Sequence, residues 1–129
     1  MGSHAILNNG SSYARIGSAA IAMAASDKQI PVILCCETYK FVNRTQVDSL
    51  VMNEKGDPNS LVYTSNTTTP VLANWKQQTN LSILNLMYDV TPSKYISLVI
   101  TEIGIIPCTS APVVSSSVFG FNFLCIKSL

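Results

Sequence analysis

Charge is scarce in this chain: 12% of its 129 residues are Asp, Glu, Lys or Arg, with a formal net charge of +1, against about a quarter in ordinary soluble domains. A balance so close to neutral supplies no clustered Lys and Arg for a phosphate backbone or an acidic membrane, so nucleic acid is not expected as a direct partner. No apolar run approaches the ~20 residues that span a bilayer, and the N-terminus has no basic segment leading into an apolar one, so neither a membrane span nor a secretion signal is expected. The four cysteines, Cys35, Cys36, Cys108 and Cys125, lack both C-x-x-C spacing and the density of a disulfide scaffold. Reduced, mostly buried thiols in a cytosolic protein are the expectation, with no metal site. Gly10 and Gly17 do not have the spacing of a dinucleotide fingerprint, and no phosphate-loop motif is present, so no cofactor is expected. Asn43, Asn66 and Asn80 match the glycosylation pattern by chance in a chain of this kind.

Apolar residues are plentiful, at 47%, and the length suits one domain with a real core. So little charge points to a surface partly covered by other protein. Asn8-Asn9-Gly10-Ser11-Ser12 combines turn and N-cap residues. Tyr13, Ile16, Ala20 and Met23 follow at steps of three and four, which predicts a helix from here to about Ala25. After the polar turn Asp27-Lys28-Gln29, the unbroken apolar run Ile30 to Cys36 predicts a strand buried on both faces. A second apolar run, Leu81 to Val90, predicts another central strand. Thr91 then reads as an N-cap, Pro92 as the first helical residue, Ile96, Val99, Ile100 and Ile103 as an apolar stripe, and Gly104 as a C-cap, so a helix is expected there. Buried strands alternating with amphipathic helices predict the open α/β class, a parallel sheet with helices on both faces. About forty residues lie between these units, from Glu37 to Asn80. Val47, Leu50 and Val51 suggest one helical turn there, Thr64 to Thr69 form a polar tract, and Trp75 is expected to anchor the far end. Irregular segments of this length are usually functional or disordered.

The string Cys35-Cys36-Glu37-Thr38-Tyr39-Lys40-Phe41 resembles the segment after the same buried strand in the delta subunits of initiation factor two-B. Other landmarks of that family follow in order: Asn9-Gly10-Ser11 with Arg15-Ile16-Gly17, Asn53-Glu54 with Asp57-Pro58, Leu72-Ala73-Asn74-Trp75, Asn85 to Pro92, and Ile105-Ile106-Pro107-Cys108. The resemblance covers roughly residues 2–114. It implies a Rossmann-like C-terminal domain, partial over 1–114 and truncated at its N-terminus, followed by a divergent apolar tail over 115–129. It also implies that Gly2-Ser3-His4 is native sequence rather than a tag remnant, and that Met1 lies in the interior of a longer subunit. The function implied is that of a non-catalytic regulatory subunit in a guanine nucleotide exchange factor complex. Such a subunit pairs with the beta subunit and other subunits and senses phosphorylation of its substrate, initiation factor two, in the cytosol. Just before that tail, Ala111 to Val114 still resembles the family's final strand.

The same domain is similar to that of methylthioribose-1-phosphate and ribose-1,5-bisphosphate isomerases, so a sugar-phosphate isomerase relative is the alternative. Moving a proton between adjacent carbons needs an acid–base group and a stabiliser of developing charge. The resemblance places His4 where those enzymes carry a catalytic Asp, and Ala14-Arg15 where they carry Asn-Lys. Their catalytic Cys would lie upstream of Met1. No catalytic residue is therefore expected here, and His4 reads as structural. Asn9, Gly10 and Ser11 at a helix start, with Arg15 one turn in, suggest either a vestigial phosphate or anion site or a capped helix whose Arg15 pairs with a carboxylate. Glu37, Tyr39, Lys40, Phe41 and Trp75 are the candidate subunit interface.

Overall fold

A computed structural model describes residues 1–62 and 72–117. The polar tract from Thr64, the apolar residues from Val118 onward and Cys125 lie outside the described residues, and the domain boundaries expected above are not decided by them. Strand β1 (Ala5–Leu7) is central. Ile6 points into one apolar cluster with Leu34, Phe41, Ile96 and Val99. Its neighbours Ala5 and Leu7 point into the other with Tyr13 and Val90. Alternation along three residues thus buries the strand on both faces, which is how a covered α/β sheet is built.

A tight turn joins β1 to β2 (Ser12–Arg15), which pairs with it antiparallel, Ala5 opposite Tyr13. In that turn the Asn9 side-chain oxygen accepts the Ser11 N–H at 3.1 Å, and Gly10 sits at φ 77°. A Cβ at Gly10 would stand 2.8 Å from the Cys108 carbonyl oxygen, so both the turn and the close approach call for glycine. The helix expected from Ser12 therefore begins later. Helix α1 spans Ser18–Asp27. The residues before it pair with β5 (Tyr88–Thr91), Tyr13 opposite Val90 and Arg15 opposite Tyr88. Ser12, Tyr13 and Ala14 are all buried, and a ladder to a distant strand outweighs a helical spacing that Tyr13 and Ile16 share only by coincidence.

Strand β3 (Ile33–Cys35) lies within the expected apolar run, but only Leu34 faces the core while Ile33 and Cys35 face outward. It runs parallel to β6 (Leu98–Thr101), which in turn pairs antiparallel with β7 (Gly104–Ile106). β4 (Phe41–Val42) runs parallel to β1. A parallel bridge from Gly2 to Cys35 links the four-stranded sheet β4-β1-β2-β5 to the three-stranded sheet β3-β6-β7. The α/β class is as expected, with parallel pairings at β1/β4 and β3/β6 and antiparallel pairings around them.

The helix expected over Thr91 to Gly104 is absent. Ser93–Tyr95 make one 3-10 turn and β6 follows. Val99 is fully buried while its neighbours Leu98 and Ile100 are about 40% exposed, the two-residue period of a strand. The Ser97 N–H donates to the Val32 carbonyl at 2.8 Å and the Val32 N–H to the Ser97 hydroxyl at 3.1 Å, docking the segment against the start of β3. Gly104, at φ 134°, turns the β6–β7 hairpin instead of capping a helix. Three further expectations also fail. Of the run Leu81 to Val90 only its end is strand. Residues 49–52 form a bend and then a turn instead of the helical turn expected around Val47, Leu50 and Val51, and a short helix α2 (Asn59–Val62) lies beyond them. Residues 111–117 are helical rather than a final strand, with Ala111, Val114 and Ser115 turned inward at helical spacing.

Cys36 and Cys108 are buried in the larger cluster and Cys35 is exposed. Burial pushes both buried thiols from 9.0 up to about 11; for Cys36 the nearby Lys40 ammonium opposes that shift. Because the folded value lies above the unfolded one, these thiols favour the folded state fully below pH 9. That contribution disappears as pH rises from 9.0 toward about 11. At pH 8 iodoacetamide is expected to modify Cys35 and to spare Cys36 and Cys108 until urea unfolds the chain, as mass spectrometry of the peptides would show. Equal labelling of the three in the folded state would contradict this burial.

Candidate functional site

The β1–β2 hairpin brings His4 beside Tyr13, with the His4 N–H donating to the Tyr13 carbonyl at 2.9 Å. Pairing of β2 with β5 then sets Tyr88 on the same face. The rings of Tyr13 and Tyr88 stack at 4.8 Å and 15°, and the exposed His4 ring lies 5.1 Å from Tyr88 and 6.0 Å from Tyr13. An arginine closes each side: Arg15 lies 5.3 Å from the centre of the Tyr88 ring and Arg44 5.1 Å from that of Tyr13. Stacked rings flanked by guanidinium groups are favourable through quadrupole and cation–π terms. Burial raises the Tyr13 phenol above its ordinary value against the pull of the Arg44 guanidinium. Tyr13 therefore keeps its proton, which it donates to the Met52 carbonyl at 3.1 Å.

Two clefts flank His4. The larger, about 560 Å³, has Tyr13, Tyr39, Lys40, Arg44 and Glu54 on its walls. The smaller, about 320 Å³, is formed with Ser3, Ala14, Arg15 and Ser18. Among the described residues, neither the larger nor the smaller has a thiol on its walls, and the smaller has no carboxylate.

The residues expected to form an anion site do not come together. Asn9, Gly10 and Ser11 occupy the tip of the hairpin, where no helix starts, and Arg15 sits at the far end of β2 on Tyr88. The true start of α1 is Gly17, which has no side chain to cap the helix. Asp89 on β5 does so instead: one carboxylate oxygen accepts the Gly17 N–H at 2.7 Å and the Ala19 N–H at 3.0 Å. The position an external anion would take is thus filled by the chain's own carboxylate.

Of the candidate interface residues, Tyr39 is 70% exposed, and Lys40 pairs with Glu37 at 2.7 Å at the cleft's rim. That contact lowers the Glu37 carboxyl and raises the Lys40 ammonium. Phe41 is a correction: at 1% exposure it belongs to the core, because β4 pairs with β1 and turns the ring inward. Trp75 lies in the 3-10 turn Trp75–Gln77 with Lys76 5.7 Å from its ring, and lines neither cleft. Sequence reasoning missed Tyr88, Asp89 and Arg44. A charged residue inside the apolar run Leu81 to Val90 was the available signal for Asp89; nothing local marked the other two.

The sequence pattern of the initiation factor 2 subunit family matches residues 1–108. The chain belongs to that family. It is 43% identical over 118 residues to translation initiation factor eIF2B subunit delta of Schizosaccharomyces pombe, covering 88% of this chain and 25% of the relative. This member of the initiation factor 2 subunit family therefore spans about a quarter of the length of that curated relative. It is also 37% identical over 123 residues to ribose 1,5-bisphosphate isomerase of Pyrococcus furiosus, covering 95% of this chain and 36% of the enzyme. Among solved structures, a chain of the tetrameric eIF2B-beta2-delta2 complex from C. thermophilum aligns with a TM-score of 0.55 and 33% identity, over 76% of this chain and 25% of that one.

Proposed function

We propose that this chain is part of a delta-type subunit of translation initiation factor eIF2B and acts through assembly with the beta-type and other subunits, without catalysis of its own. On this reading it contributes in the cytosol to regulation of guanine nucleotide exchange on initiation factor two by phosphorylation of that substrate. The observation that carries the reading is the 43% identity to a delta subunit over 88% of the chain. The site chemistry agrees. His4 is engaged with two tyrosine rings, Ala14 offers a methyl group, and the buried Asp89 is committed to α1. Exposed apolar side chains such as Ile21, Met23 and Leu61 suit a surface that another subunit covers.

The likeness to ribose 1,5-bisphosphate isomerase of Pyrococcus furiosus supports a second reading, a sugar-phosphate isomerase relative. One experiment separates them. Co-expressed with a tagged beta-type subunit, the chain is expected to be retained on the tag, and Tyr39→Asp with Leu61→Asp is expected to lower its recovery at least about tenfold. Turnover of ribose 1,5-bisphosphate is expected to stay at buffer background. Measurable turnover together with no retention would favour the enzyme.

A further inference from the structure

Residues 44–54 form one wall of the larger cleft, to which Arg44, Met52 and Glu54 contribute. Among the described residues, backbone-to-backbone hydrogen bonds hold this segment only at its ends. The Asn8 N–H donates to the Arg44 carbonyl at 2.9 Å, and the Met87 N–H to the Glu54 carbonyl at 3.0 Å. Between those ends, side chains take the place of a strand along the outer edge of β5. The Asn53 amide donates to the Tyr88 carbonyl at 2.7 Å and its oxygen accepts the Tyr88 N–H at 3.2 Å. The Ser49 hydroxyl oxygen accepts the Val90 N–H at 3.0 Å.

The segment is also tied to itself. Gln46 donates to the carbonyls of Asp48 and Val51 at 2.8 and 2.7 Å, and Asp48 accepts the N–H groups of Leu50 and Val51. Its apolar side chains Val47, Leu50, Val51 and Met52 are exposed, so little buried surface holds it down. Met52 is left-handed, at φ 56°, a conformation unfavourable for its side chain, and its carbonyl is the group that Tyr13 holds. Internally cross-braced, externally held by a few polar bonds and strained at one residue, such a segment opens locally before the core does.

We propose that residues 44–54 are a strap that swings off the β5 edge as one unit, latched by the Tyr13 hydroxyl on the Met52 carbonyl, and that its opening sets the width of the cleft beside His4. The latch ring stacks on Tyr88 and carries Arg44 on its other side. Whatever fills the cleft against those rings therefore acts on the strap. This inference is independent of whether the protein is a subunit or an enzyme.

Hydrogen exchange followed by NMR or fragment mass spectrometry, on the full chain in the assembly in which it is isolated, tests it. The Tyr88 and Val90 amides report opening, because their acceptors are on the strap. The Leu50 and Val51 amides report integrity, because their acceptor Asp48 moves with them. In Tyr13→Phe, exchange at Tyr88 and Val90 is expected to rise about fivefold, with Leu50, Val51, Leu34 and Val99 unchanged. Met52→Asn, which tolerates the left-handed conformation better, is expected to slow exchange at Tyr88 and Val90. Unaltered exchange at Tyr88 and Val90 in both variants would overturn the proposal, as would a parallel rise at Leu50 and Val51 or at Leu34 and Val99.

Discussion

Replacing Phe41 with alanine is expected to cost about 3–5 kcal/mol of stability, the usual range for emptying an aromatic site in a packed core. The ring is 1% exposed and packs in one cluster with Ile6, Leu34, Ile96 and Val99. These residues come from both sheets and from the turn before β6. Losing it opens a cavity where the parts of the fold meet, and a domain of ordinary stability, roughly 5–15 kcal/mol, gives up a large share. Tyr39, two positions earlier and 70% exposed, is the internal control: Tyr39→Ala is expected to change stability by less than about 0.5 kcal/mol. Urea titration of the three proteins, followed by tryptophan fluorescence or circular dichroism, measures both. A Phe41→Ala protein that melts like the parent while losing its partner would return Phe41 to the interface.

Asp89→Ala is expected to destabilise by about 2 kcal/mol and to fray the first turn of α1, because two charge-assisted hydrogen bonds to a helix start disappear together. Gly17 cannot substitute, having no side chain, and no acidic residue lies in the first turn. Two terms oppose each other at this carboxylate. One oxygen holds the Gly17 and Ala19 N–H groups and meets the positive end of the helix dipole. The other is buried with no hydrogen-bond partner among the described residues, which costs desolvation energy. Asp89→Asn keeps an acceptor of the same shape and removes the charge. If the cap dominates, as two bonds of 3.0 Å or less indicate, the Asn protein falls between parent and Ala in thermal midpoint and in helical circular dichroism. An Asn protein more stable than the parent would show that the buried oxygen outweighs the cap.

The strings that carry the family likeness were legible because they are local, and they placed the chain correctly. The strand at Leu34, though not its expected burial on both faces, the turn chemistry of Asn9-Gly10 and the α/β class were legible too, each resting on residues adjacent in sequence. The cleft was half legible. His4 and Arg15 were singled out, yet Tyr88 and Arg44 reach their places beside Tyr13 only through pairing of β2 with β5 and the return of the chain after β4.

The two segments expected as helix and found as strand share one physical origin. Over six to eight residues, apolar side chains three and four apart satisfy a helix, and the same segment can equally satisfy a strand when intervening residues are small or also apolar. Tyr13 and Ile16 are such a pair; Ile96, Val99 and Ile103 are another set. Which period wins depends on the partner that supplies the backbone hydrogen bonds. For Ser12–Arg15 that partner is β5, and for Leu98–Thr101 it is β3. A similar distance separates the start of α1 from its cap, since Asp89 lies 72 residues beyond Gly17. The sequence by itself determined the family, the class and the local turns, because these are properties of contiguous residues. The tertiary structure alone decided which segments are strands, which aromatic ring is core and which carboxylate serves the helix. Those outcomes depend on hydrogen-bond partners that lie tens of residues away along the chain.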